Sequence, residues 1–118
     1  MTAVWLHRYG DLSLFKGLFM GMIVKTSYNV RDGSRASFLA DFSVIATATR
    51  AAPACDWIYV VEDDETNRIE VMSYWQSEAG FDDHLRWRIG TDRWRELEAK
   101  YIHGDPEIKL LPVMFRFD

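Results

Sequence analysis

The sequence predicts an α+β domain with the ferredoxin-like order β-α-β-β-α-β. Three observations predict it. Met22 to Val30 (MIVKTSYNV) and Arg68 to Trp75 (RIEVMSYW) alternate with a period of two, as strands with one buried face do. Phe38, Phe42, Ile45 and Thr49 recur at helical spacing in the connection after the first of these strands. The polar run Asp63-Asp64-Glu65-Thr66-Asn67 separates two β-rich stretches and so joins them as an antiparallel hairpin. A strand, a helix, a hairpin and then a second helix and strand make the split βαβ arrangement: four antiparallel strands with the helices on one face.

Taken in order, residues 1–21 read as an N-terminal arm and 22–118 as one domain. In the arm, Leu12, Phe15, Phe19 and Met22 lie at helical spacing after Asp11, which predicts a helical or irregular segment. The apolar run Leu12 to Val24 contains Lys16 and is too short to span a bilayer, and no clear cleavage site follows it. The first strand, Met22 to Val30, ends at the turn residues Arg31-Asp32-Gly33. Ser34 is expected to cap a helix running to about Ala52, stopped by Pro53. Cys55 to Glu62 is the second strand and Arg68 to Trp75 the third. The acids of the hairpin lack the alternate ligand positions and the glycine of a calcium loop, so they read as a solvated turn. Ser77 caps the next helical region, Glu78 favours its positive end, and Gly90-Thr91 breaks it. Thr91 caps a further segment with Trp94, Leu97 and Tyr101 inward, which Gly104 stops. Ile108 to Phe115 is the last strand, and Pro112 within it requires an edge, an end or a bulge.

A chain of 118 residues with net charge −4 is one domain without the basic surface that nucleic acid demands. Neither nucleic acid nor a membrane is an expected partner. Arg86, Arg88, Arg93 and Arg95 are interleaved with acids and read as a solvated helix face, with an anion-attracting pocket rim as the alternative. Cys55 is the single cysteine, which fits a reducing cytoplasm, and Asp56 beside it raises rather than lowers the thiol pKa. Three dispersed histidines form no metal site. The sheet face away from the helices is rich in Trp, Tyr, Ile and Val, and a second copy of the chain covering it is the simplest way to bury it.

The corner "YWQSEAGFDDHL" between third strand and helix, with "FLADFSVIATATRAAPACDWIYV" upstream, resembles the antibiotic biosynthesis monooxygenase-like family of dimeric α/β barrels. The resemblance covers about Met22 to Val113. It implies a homodimer with two sheets face to face, and a cofactor-independent oxygenation of a reduced aromatic or quinol by O2. The alternatives are a non-catalytic small-molecule-binding dimer and, less favoured, a haem-binding or haem-degrading protein. Trp75 holds the family's Trp at the end of the third strand. The quinone-forming members place an Asn four residues before it and a Tyr six after it, where this chain has Val71 and Phe81. The haem-degrading branch uses a first-strand Asn, for which Asn29 is the candidate. It also has a Trp where His84 stands and a His where Trp94 stands.

These patterns nominate His84 as catalytic base, because an imidazole of pKa near 6.5 suits removal of a phenol proton. Trp75 is its catalytic partner, stacking on a planar substrate. Asn29, Phe81, Val71, Phe42, Leu85 and Trp94 are the candidate substrate-binding residues, for a small aromatic molecule. No metal and no organic cofactor is expected, since no phosphate-cradling glycine loop or ligand cluster is present. The alternation of the first strand leaves open whether Asn29 faces the helices or the partner sheet.

Overall fold

A computed structural model describes residues 21–118, and the expected N-terminal arm lies outside them. The elements are β1 (Gly21–Tyr28), α1 (Arg35–Ala51), β2 (Cys55–Asp63), β3 (Arg68–Trp75), α2 (Glu78–Ile89), α3 (Asp92–Tyr101) and β4 (Glu107–Val113). The strands form one antiparallel sheet in the order β2-β3-β1-β4, the ferredoxin-like topology.

Parity places the core. Met22, Val24 and Tyr28 of β1 and Ile69, Val71 and Trp75 of β3 share a buried cluster with helix residues Phe38, Phe42, Ile45, Phe81, Leu85, Trp94, Leu97 and Tyr101. The opposite parity puts Lys25 and Ser27 of β1, Glu70, Met72 and Tyr74 of β3, and Trp57 and Tyr59 of β2 on the uncovered face. The Trp57 and Tyr59 rings lie 5.1 Å apart there, and Tyr59 and Leu111 remain 59% and 44% exposed. The residues after β4 fold back along this face. The Arg116 guanidinium lies 4.3 Å from the Tyr74 ring centroid, and its Nη1 is 2.8 Å from Asp56 Oδ2.

The punctuation of the helices follows side-chain chemistry. Ser77 Oγ accepts from the Gly80 amide at 3.0 Å, and Thr91 Oγ1 accepts from the Trp94 amide at 3.3 Å, so both are working N-caps. Ser34 precedes α1 but makes no side-chain cap bond: its backbone sits at φ −106°, ψ 1°, away from the extended conformation that aims a hydroxyl at the first turn. Pro112 is accommodated because β4 is an edge strand, paired only with β1.

Gly80 lets α2 approach the loop before β2. A Cβ built there would lie 2.2 Å from Ala54 Cβ. Gly80→Ala is therefore expected to cost about 1–3 kcal/mol of stability by wedging the two apart. Urea unfolding measures it, and an unchanged midpoint would show that the contact yields freely.

Candidate functional site

The side chains at helical spacing on α2 form one stripe: Phe81, His84, Leu85 and Arg88 are its buried residues. Leucine and phenylalanine there complete the core. Histidine and arginine on the same stripe bring two nitrogen groups into a mostly apolar layer, and α1 supplies what they need. Thr49, on the inner face of α1, donates its hydroxyl to the Ile45 carbonyl at 2.8 Å and accepts from Arg88 Nη2 at 2.6 Å. His84 Nε2 lies 3.1 Å from Thr49 Oγ1 and 3.3 Å from Arg88 Nη2. Arg88 only donates, so in the Nδ1–H tautomer Nε2 accepts from it; Thr49, whose proton goes to Ile45, instead accepts from Nε2 in the other tautomer.

The His84 ring is held between two indoles, with centroids 5.3 Å from Trp75 and 5.6 Å from Trp87. Burial, and then the neighbouring Arg88 charge, push its pKa down from 6.5 to about 4. The imidazole is therefore neutral at physiological pH. This corrects the expectation of a base titrating near 6.5: the larger cause is burial between the packed helices, and the Arg88 cation one helical turn away adds to it.

The depressed pKa also makes His84 a pH sensor of stability. Above pH 6.5 neither the folded nor the unfolded chain protonates this ring. Between pH 6.5 and about 4 the unfolded chain binds a proton that the folded chain refuses, so stability falls as pH falls through that window. The full shift corresponds to about 3 kcal/mol. The ring borders a solvent groove, and screening there reduces the expected loss to about 1–2 kcal/mol. Urea unfolding at pH 7 and pH 4.5 measures it, and the His84→Phe chain should lose less over the same interval.

Arg88 is not part of a solvated face, as the arginine run suggested. It is 8% exposed, while Arg86 pairs outward with Asp82 at 2.9 Å and Arg95 pairs with Asp92. The Arg88 guanidinium lies 5.5 Å from the Trp94 ring centroid, and its Nε has no hydrogen-bond partner. No carboxylate forms an ion pair with it among the described residues. Burial lowers its pKa, opposed by Tyr28 and Cys55. Tyr28, in ring contact with Trp94 at 6.0 Å, has its phenol pushed up to about 12, chiefly by burial, with Arg88 and Thr26 opposing the rise.

Two openings flank this stripe. A groove of about 510 Å³ is lined by Ala48, Ala51, Ala52, Pro53, Ala54, Gly80, Asp83, His84 and Trp87. A cavity of about 230 Å³ is lined by Val44, Ile45, Ala48, Trp87, Arg88, Thr91 and Arg93. Ala48 and Trp87 belong to both, so the openings adjoin along the α1–α2 seam.

Of the sequence-nominated residues, Trp75, Phe81 and His84 come together, with Trp75 and Phe81 centroids 5.3 Å apart. Trp75 is fully buried beneath His84, donates Nε1–H to Ser73 Oγ at 2.8 Å and does not line the groove. Val71, Phe42 and Leu85 belong to the surrounding core, and Trp94 meets Arg88 and Tyr28. Asn29 does not join them. It follows β1 with the parity of the uncovered face, and its carbonyl accepts from the His103 amide at 2.7 Å. Thr49, Arg88 and Tyr28 were missed as site residues. For Arg88 the signal was available, since it extends the Phe81–His84–Leu85 spacing by one turn.

Cys55 is buried and its thiol pKa is raised, first by burial and only in smaller part by Asp56. Among the described residues no group of three His, Cys, Asp or Glu is placed to hold a metal ion, and no helix is long and apolar enough to cross a membrane.

Solved structures share this fold. A candidate antibiotic biosynthesis monooxygenase from Caulobacter crescentus is 22% identical, with a TM-score of 0.65 over 90% of this chain and 99% of that one. Candidates from Bordetella bronchiseptica (20% identity, TM-score 0.66, 80% and 99% covered) and Deinococcus radiodurans (18%, 0.69, 82% and 96%) superpose similarly. No curated protein matches the sequence. The family model described as antibiotic biosynthesis monooxygenase matches residues 21–88, from β1 through the His84–Arg88 turn of α2. More than half of the chain carries that match, and the protein belongs to the antibiotic biosynthesis monooxygenase family.

Proposed function

We propose that the chain is a cofactor-independent monooxygenase that binds a reduced aromatic in the groove between α1 and α2 and lets it react with O2. The observation that carries this reading is the neutral His84, packed between two indoles, with Nε2 turned inward to Thr49 and Arg88. In the Nδ1–H tautomer, in which Nε2 accepts from Arg88, Nδ1–H is the ring's donor for a bound ligand.

This arrangement changes the role first assigned to His84. A base of pKa about 4 facing a phenol of pKa about 10 would work against some six pKa units, about 8 kcal/mol. The imidazole is better matched to donating Nδ1–H to an oxygen that already carries charge, with Arg88 adding a positive field at short range. The substrate is then a phenol or enol that ionises on binding. Its electron-rich ring carbon, a methylene in the keto form, reduces oxygen. One oxygen atom becomes the carbonyl oxygen on that carbon, and the other leaves as water with the two hydrogens the carbon gives up. The chain's part is to bind, orient and stabilise the anion.

The uncovered sheet face supports the homodimer expected of the family. Trp57, Tyr59, Tyr74 and Leu111 share that face with the returning C-terminal residues, and Phe115 and Phe117 beyond them are 77% and 93% exposed. A cytoplasmic setting, with Cys55 kept reduced, completes the reading.

Oxygen uptake by the purified protein with hydroquinones and anthrone-type phenols, with chelator and without added flavin, tests the activity. Uptake above the uncatalysed rate supports it, and none across the panel overturns it. The second reading, binding without catalysis, draws support from Val71 and Phe81, which put carbon where quinone-forming relatives place amide and phenol groups. Haem fits poorly, because His84 Nε2 already faces Thr49 and Arg88.

A further inference from the structure

We infer that Arg88 is an anion anchor and that the ligand of this groove carries a carboxylate beside its phenolic ring. A buried guanidinium without a counter-ion is costly, and folded proteins rarely keep one unless something supplies the missing charge. Arg88 is 8% exposed, makes no ion pair among the described residues and leaves Nε unpartnered. Its neighbours Thr49 and His84 take hydrogen bonds from Nη2 without neutralising it.

The space beside it has matching chemistry. The 230 Å³ cavity is walled by Val44, Ile45, Ala48 and Trp87, and its charged lining residues are two arginines, Arg88 and Arg93, with no acid. Its volume lies below the range of pockets for drug-sized molecules, so it suits one ring substituent or a single ring rather than a whole polycycle. A carboxylate fits better than a second phenolate because a planar guanidinium binds two carboxylate oxygens in one plane. The adjoining 510 Å³ groove, where His84 stands, receives the rest of the ligand. Asp83 is the one acid lining that groove, and it is exposed.

His84 and Arg88 are one helical turn apart, so a ring carrying a carboxylate next to a hydroxyl meets both. This inference rests on the proposed function only in placing an aromatic ligand in the groove, because its test reads binding rather than turnover.

The test compares 2,5-dihydroxybenzoate with the neutral 2,5-dihydroxybenzamide by calorimetry at pH 7. Both probes share the ring and differ in charge. The benzoate should bind about tenfold to a hundredfold more tightly, the usual gain for a charge-assisted hydrogen bond. In Arg88→Gln the two affinities should converge, and Arg88→Lys should restore part of the preference. Equal binding of the two probes by the native chain would overturn the inference without any variant, as would no benzoate binding at millimolar concentration. A preference retained in a folded Arg88→Gln would overturn it too. Benzoate binding without oxygen uptake would leave the anchor standing and remove the oxygenase. Uptake on hydroquinone with no benzoate preference would do the reverse.

Discussion

Trp75→Ala is expected to cost about 3–5 kcal/mol of folding stability, the range for deleting a fully buried large aromatic. Trp75 has no exposed surface and packs edge-on to Phe81 at 5.3 Å. Its removal opens a cavity at the end of β3 and leaves Ser73 Oγ without the indole donor it now accepts from at 2.8 Å. For a domain whose total stability is on the order of 5–15 kcal/mol, that is a large fraction. Urea unfolding measures the loss, and a cost below about 1 kcal/mol would mean that the core can close over the gap. The consequence for function is indirect. Trp75 forms the floor beneath His84 at 5.3 Å, so lost activity in the alanine variant would report a shifted imidazole or a partly unfolded chain. Trp75→Phe separates the two: it keeps a ring under His84 and should retain most activity at reduced stability.

His84→Phe should lower oxygen uptake about 10²–10³-fold, the usual effect of removing one donor to a developing oxyanion. The phenyl ring preserves the packing between Trp75 and Trp87, so the fold should survive. The pH profile distinguishes the roles. With His84 neutral down to about pH 4, oxygen uptake by the native protein should show no acid limb from this residue near 6.5. A limb near 6.5 that disappears in His84→Phe would restore the base assignment and overturn the donor role. Equal uptake by variant and native chains would remove His84 from the chemistry altogether.

Much of the fold is written locally. The third strand ends at Trp75 as its alternation requires, the break at Gly90-Thr91 separates α2 from α3, and Ser77 and Thr91 cap as their chemistry predicts. Ser34 has the same chemistry but not the backbone angle. A cap needs both, and only the first is visible in a string of residues.

The site divides in the same way. By itself the sequence determined the ferredoxin-like order, the family corner at Trp75 and the presence of Phe81 and His84 on one helix stripe. Those follow from periodicity and from contacts three or four residues apart, which a linear reading can count. The tertiary structure alone decided that Arg88 is a buried cation, that Asn29 leaves with the other face of β1, and that His84 is neutral. The spacing of Arg88 and the parity of Asn29 are local, but what covers them is set by how the helices and sheet pack. Thr49 reaches Arg88 across 39 positions, and the pKa of His84 is set by the dielectric and the charge that the packed helices place around it. No local pattern encodes such a long-range juxtaposition, because burial is a property of the assembled layers.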